Sequence, residues 1–292
     1  MTSQGMISLG VPRARLANAN EEEEWHSQIL PRYQRRAQEV DATILSSYFN
    51  GVSTRQVSRA LQPLLRGGPL ARSSVSRLVG RLREDFRAWQ SRSLADEDMV
   101  YLYLDGWYVK VRLAGRVHAV PILVTLGVRR TGEKVLVAME QVGSEAKEAW
   151  HSFLSGLVAH GLRAPGLVVI DGNPGLRQAL EEVWPGVPVQ RCVVHKLRNL
   201  ISKVPRGLKE ELKADYSRMI YAETREEAVQ ERSRFLVKWK KSVPAVGASL
   251  EEAGPDLFTF FQFPRPQWKS LRSTNPVERL HLEFRRRVKV QG

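Results

Sequence analysis

Residues 101–109 read YLYLDGWYV and residues 167–175 read LVVIDGNPG. Each is a short run of β-branched, aromatic and aliphatic residues closed by an aspartate and a glycine, the composition of a buried strand. Asp-Gly by itself marks a turn as readily as a site, so the first pair predicts a bend at Asp105-Gly106. Two aspartates in matching positions, Asp105 and Asp171, carry more weight together than either alone. Hard cations such as Mg²⁺ take oxygen ligands, and two ions held by shared carboxylates suit a phosphodiester displacement. A third acid, Glu278, stands downstream in STNPVERLHLEFRRR, and Glu145 competes as a ligand.

Around these stretches the pattern is that of an α/β domain. HAVPILVTLGV and KVLVAME extend the first apolar run into three strands, with turns at Ala114-Gly115 and Thr131-Gly132. Residues 144–160 switch to helical spacing through Ala149, Trp150, Phe153, Leu157 and Val158. GLVVI, a helix from Pro174 to Trp184 and a strand at VPVQ follow. Three hairpin-linked strands and then alternating helix and strand is the order of a ribonuclease-H-like mixed sheet flanked by helices. If its first and fourth strands lie side by side, Asp105 and Asp171 share one rim.

The chain has 292 residues, 42% of them hydrophobic, enough for a substantial core. Its net charge of +14 and pI near 10.2 point to a polyanionic partner, nucleic acid first. No apolar run reaches the length of a membrane span and no signal pattern opens the chain, which predicts a cytoplasmic, nucleoid-associated protein. Cys192 is the sole cysteine, which excludes an intramolecular disulfide and a multi-cysteine zinc finger.

Residues 1–30 read as a flexible arm and residues 31–95 as a basic helical module. Between Gly51 and Arg92 there are nine arginines against Glu84 and Asp85. Gly67, Gly68 and Pro69 separate two helices, the second opening near Arg72, Ser73 and Ser74 and carrying Arg77 and Arg81. This fits a helix-turn-helix whose second helix enters the major groove; a helical bundle with a solvated basic face has the same pattern. Residues 96–200 are read as the first part of the catalytic domain. Residues 201–265 are read as a helical insertion with Leu208, Leu212, Tyr216, Ile220, Phe235 and Trp239 as its core, and residues 266–292 as the segment carrying Glu278.

QRCVVHKLRNL and STNPVERL, taken with the two aspartates, resemble the DDE transposases of Mutator-like bacterial insertion sequences from about Gly51 onward. The resemblance implies a ribonuclease-H-like catalytic domain split by an all-helical insertion, two Mg²⁺ or Mn²⁺ ions, and cleavage and joining of DNA ends. It places Asp105, Asp171 and Glu278 as catalytic, metal-holding residues, and Cys192, His195, Trp268 and Asn275 as support for the site. It implies double-stranded DNA as partner, both terminal inverted repeats and target, engaged by a homodimer or higher oligomer.

The residues themselves leave choices open. Cys192 and His195 are three apart and share a helix face, as core residues or as positioning groups more readily than as zinc ligands. Lys196, Arg198, Arg279, Arg285, Arg286 and Arg287 are available for phosphate or for solvent. Trp268 can stack on a displaced base or pack in the core. Only 14 residues follow Glu278, fewer than the family usually has, so the chain is read as a C-terminally truncated copy. A copy that binds DNA without cutting it is the alternative function.

Overall fold

The computed structural model describes residues 41, 43–45, 72–113 and 116–288, with side chains described for all but 72–75, 111–113 and 286–288. The expected arm, the first helix and glycine turn of the basic module, and the turn at Ala114-Gly115 lie outside these residues. So do the side chains of Arg72, Ser73, Ser74, Arg286 and Arg287. Two compact units separate, with breaks at Trp89/Gln90 and Glu283/Phe284. The first break falls a few residues before the boundary read between residues 95 and 96.

In the unit that holds residues 72–89, helix α1 (Arg72–Gln90) buries Leu78 and leaves Arg77 and Arg81 exposed. Arg81 pairs with Asp41 at 3.5 Å.

The unit from Gln90 to Glu283 is built on a five-stranded mixed sheet. Its strands are β1 (Met99–Leu113), β2 (Arg116–Arg129), β3 (Lys134–Gln141), β4 (Leu167–Ile170) and β5 (Val189–Arg191). They lie in the order β3-β2-β1-β4-β5, the first three antiparallel and β4 and β5 parallel to β1. Between β2 and β3 the chain turns through Gly132 at φ 85°, where a residue without Cβ is favoured. Helices α2 (Lys147–Ala159) and α3 (Pro174–Val183) cover one face. There Leu102, Leu104, Val168 and Ile170 meet Trp150, Phe153, Leu154 and Leu180. Each large side chain so buried contributes roughly 1.5–3 kcal/mol.

The bend expected at Asp105-Gly106 is absent. β1 runs straight through both residues, because β2 pairs along its whole length, Asp105 opposite Val124 and Gly106 opposite Leu123. The ladder hydrogen bonds hold the backbone extended, and Gly106 instead makes room for a neighbouring carboxylate.

After β5 come α4 (Val193–Ile201), α5 (Lys209–Ile220), α6 (Arg225–Ser242) and α7 (Pro244–Glu252). Thr224 caps α6 by accepting from the Glu227 N–H. Leu212, Tyr216, Ile220, Phe235 and Trp239 are buried together as expected, with Leu208 partly buried against them. The same core takes in Val193, Leu200 and Val204, so α4 packs with the insertion. A 3₁₀ stretch (Gly254–Gln262) returns the chain to the second face of the sheet, where Phe260, Leu271 and Val277 meet Tyr103, Val124, Leu167 and Val169. The short α8 (Trp268–Leu271) and the long α9 (Asn275–Val288) follow. Among the described residues no helix is long and apolar enough to cross a membrane.

Candidate active site

The parallel pairing of β1 with β4 ends at Leu104 opposite Ile170. Asp105 is the next residue of β1 and Asp171 the first beyond β4, each one step past the end of a ladder whose strands lie about 4.8 Å apart. Side chains alternate along strands, and Tyr103 and Val169, two residues back on each, share the second face. Continued one step, the same alternation sets Asp105 on the face that α9 covers, where His281 of that helix meets it, and the charge of Asp171 acts on it from just beyond the end of β4. β1 goes on without β4 beside it, which opens the rim.

Asp105 is 6% exposed. Its Oδ2 lies 3.4 Å from Nδ1 of His281, and the imidazole stacks on Trp107 with centroids 5.3 Å apart and planes 17° apart. Burial pushes the Asp105 carboxyl up to about 8; the charge of Asp171 adds to this, His195 opposes it, and Glu145 and Glu278 add further. More negative charge converges here than the surroundings neutralise.

Glu145 is the fourth acid. Its carboxylate occupies the space over Gly106 that a side chain would fill, an added Cβ there meeting Oε1 at 2.1 Å. Burial raises its pKa, and Asp171 raises it further, against hydrogen bonds from Tyr108 and Asn173. The Asp171 turn is fixed from three sides. Asn173 N–H donates to Asp171 Oδ1 at 2.9 Å, and the Asn173 side chain caps α3 by accepting from Leu176 N–H at 3.1 Å. Gly172, at φ 107°, lies under the buried Arg191 guanidinium, which donates to Glu252 Oε1 at 2.7 Å.

Glu278 opens α9, and the polar contacts of its carboxylate are with α4. His195 Nε2 is 3.3 Å from Oε1, and Arg198 donates to Oε1 at 2.9 Å and Oε2 at 3.4 Å. His195 is set in turn by Thr274, whose hydroxyl lies 3.3 Å from Nδ1. The Thr274 N–H and hydroxyl donate to Cys192 Sγ at 3.3 and 3.4 Å. Burial acts to raise the Cys192 pKa, but hydrogen bonds from His195 and Thr274 outweigh it and hold the thiol below its usual value. His195 is raised to about 8, by its hydrogen bond with Cys192 first. The Cys192–His195 pair thus acts through Thr274 on the start of the helix that carries Glu278.

Of the other expected residues, Lys196 departs from the reading. Lys196 is buried, its ammonium donating to the Ser249 carbonyl at 2.9 Å and Glu252 at 2.8 Å, so it does not face solvent. Trp268 packs edge-on against Phe260 and Phe261, and its N–H donates to the Phe263 carbonyl at 2.7 Å. Asn275, Arg279 and Arg285 are exposed on α9.

His281 was not anticipated, although it stands three residues after Glu278 and therefore on the same helical face. His281→Phe keeps a ring on Trp107 and removes the nitrogen beside Asp105. Any activity that depends on the Asp105 carboxylate is expected to fall by about 10–100-fold, as when a group that orients a working side chain is removed, with the unfolding midpoint within a few degrees of the parent. An unchanged initial rate would contradict this role.

Among the described residues no three His, Cys, Asp or Glu side chains stand close enough to hold a metal ion. The donors are nonetheless of the right kind: hard carboxylate oxygens on adjacent strands, with a surplus of negative charge that a divalent cation relieves.

A sheet that sets two aspartates side by side, beneath a helix carrying a glutamate, defines a carboxylate-centred α/β protein. The whole chain, residues 1–292, matches the family described as transposase, Mutator family, and the protein belongs to that family. It is 36% identical over 290 residues to the transposase for insertion sequence element ISRM5 of Rhizobium meliloti, covering 99% of this chain and 71% of that one. It is 35% identical to the transposase for IS406 of Burkholderia multivorans, covering 99% and 73%. It is 30% identical to the transposase for IS256 in transposon Tn4001 of Staphylococcus aureus, again covering 99% and 73%.

Proposed function

We propose that this protein is a DNA transposase that binds the ends of an insertion sequence and carries out metal-dependent strand cleavage and transfer. The observation that carries this is the placement of Asp105 and Asp171 one residue beyond the last rung of the β1–β4 ladder, with Asp105 against His281 of the helix that bears Glu278. The strand order supports a ribonuclease-H-like domain, and the arginines of α1 support the second helix of a helix-turn-helix.

Asp105 and Asp171, joined by Glu278, would hold two Mg²⁺ or Mn²⁺ ions. When bound, such ions lower the pKa of an attacking water or 3′-hydroxyl and stabilise the leaving oxygen. The chain's own residues prepare the site. His281 and Trp107 orient Asp105, while Asn173 and Arg191 fix the Asp171 turn. Arg198 stands at the rim as a cation for a DNA phosphate, and its bond to Glu278 is what such a phosphate would compete for.

That same bond favours a second reading. With Glu278 engaged by Arg198 and His195, a protein that binds DNA without cutting it is consistent with the geometry. Chelation separates the two. Protein stripped with EDTA and assayed on a duplex carrying the terminal repeats that flank its gene is expected to retain binding, lose cleavage, and recover it with Mg²⁺ or Mn²⁺. Cleavage undiminished by EDTA would sink the metal mechanism, and binding without nicking at any metal concentration would establish the second reading.

A further inference from the structure

We propose that the outer face of Tyr221 is a stacking platform for an unpaired nucleobase of the DNA strand handled at this site. Tyr221 ends α5 and is 68% exposed. A lone exposed aromatic needs no explanation, but this one is the last layer of a column. Phe260 is fully buried on the second face of the sheet, the Arg272 guanidinium lies 5.4 Å from its ring centroid, and the same guanidinium lies 4.6 Å from the centroid of Tyr221. Arg272 is locked in place, donating to the Ile220 carbonyl at 3.1 Å. The column therefore runs ring, cation, ring, and then solvent.

A planar base is the natural next layer. Stacking on an aromatic ring backed by a guanidinium is tolerant of sequence, because every base has a π-face, and a cation beneath the ring strengthens the platform. The column is also tied to the carboxylates. The Arg272 carbonyl accepts from Val193 N–H at 2.9 Å, at the first residue of α4, and α4 carries the His195 and Arg198 that hold Glu278. Among the described residues, other rings with exposed edges are engaged differently. Trp268 is packed among Phe260, Phe261 and Phe263, Phe86 stacks on Trp89, and Tyr108 is tied to Glu145.

The proposal rests on the reading of the protein as one that processes DNA ends, and the test keeps the two apart. Two probes are compared by fluorescence anisotropy: a fully paired duplex, and the same duplex with three unpaired nucleotides at one end, each carrying 5-iododeoxyuridine. For the frayed probe, Tyr221→Leu is expected to weaken binding by on the order of tenfold, while Tyr221→Phe stays within about twofold of the parent. The paired duplex is expected to bind all three proteins alike. Irradiation should crosslink the frayed end to Tyr221, read by mass spectrometry of the peptide. Equal weakening of both probes, no weakening of either, or crosslinks only elsewhere would overturn the platform while leaving DNA processing intact. A parent protein that binds neither probe would remove both readings.

Discussion

Asp105→Asn and Asp171→Asn are each expected to reduce cleavage of a DNA end by on the order of 10³-fold or more, with DNA binding unchanged. The substitution keeps shape and removes from the pair a carboxylate that can ionise and hold a cation. Metal-assisted charge stabilisation is worth several kcal/mol, and each 1.4 kcal/mol is about a factor of ten in rate. Stability should move the other way. The Asp105 carboxyl is raised from 3.8 to about 8 by burial and by its acidic neighbours. The folded state therefore binds its proton more tightly than the unfolded chain does. Its contribution to stability is complete below the unfolded value and is lost as pH rises through the folded one. In buffer free of divalent cations, Asp105→Asn should thus gain in unfolding midpoint over the parent as pH goes from about 4 to about 8. A gap that narrows with rising pH would contradict the charge surplus at the site, and cleavage within tenfold of the parent would remove Asp105 from the chemistry.

The second large effect is expected at Gly172, and it tests support rather than chemistry. Its φ of 107° is a conformation that residues with a Cβ rarely adopt, and an added Cβ would sit 2.3 Å from Arg191 Nε. Gly172→Ala combines backbone strain of about 1–3 kcal/mol with overpacking of similar size against a buried guanidinium, for a total of roughly 2–6 kcal/mol. Cleavage should fall by about 10²-fold as well, since a displacement near 1 Å at a reacting group costs that much. Gly132→Ala is the matched control, with φ 85° and nothing within 4 Å of an added Cβ. Denaturant unfolding of the two variants decides the matter: equal losses would mean that Arg191 does not brace the Asp171 turn.

Much of the sheet was legible because its strands are made of one kind of residue. VYLYL and GLVVI leave little choice but burial, and two such runs ending in Asp-Gly announced the pair. The error at Asp105-Gly106 has a clear cause. A glycine after an aspartate signals a turn locally, whereas the pairing of β2 along all of β1, a long-range fact, keeps this one extended. Lys196 was misjudged for a related reason. It stands with Val193 and Leu200 on the buried side of α4, a stripe at helical spacing in which charge suggested solvent. Its partner Glu252 is 56 residues away, so nothing nearby revealed it. His281 was visible in the i, i+3 spacing from Glu278, but its role depends on Trp107, which only the fold brings beneath it. Thr274 proved to be the joint between Cys192, His195 and α9, through bonds to residues some eighty positions away.

That joint has a bearing on how the chain tolerates change. Thr274 and Cys192 are 82 residues apart, and the neighbouring Arg272–Val193 bond closes the same circuit. Everything from α5 to the 3₁₀ stretch is thus a detour whose exit and re-entry are clasped together at the sheet. The entropy of closing such a detour grows only with the logarithm of its length, about 0.6 kcal/mol for each doubling. Lengthening or trimming the helices far out on that excursion therefore costs little, while the start of the helix that carries Glu278 stays clasped to α4 by a threonine and a sulfur atom.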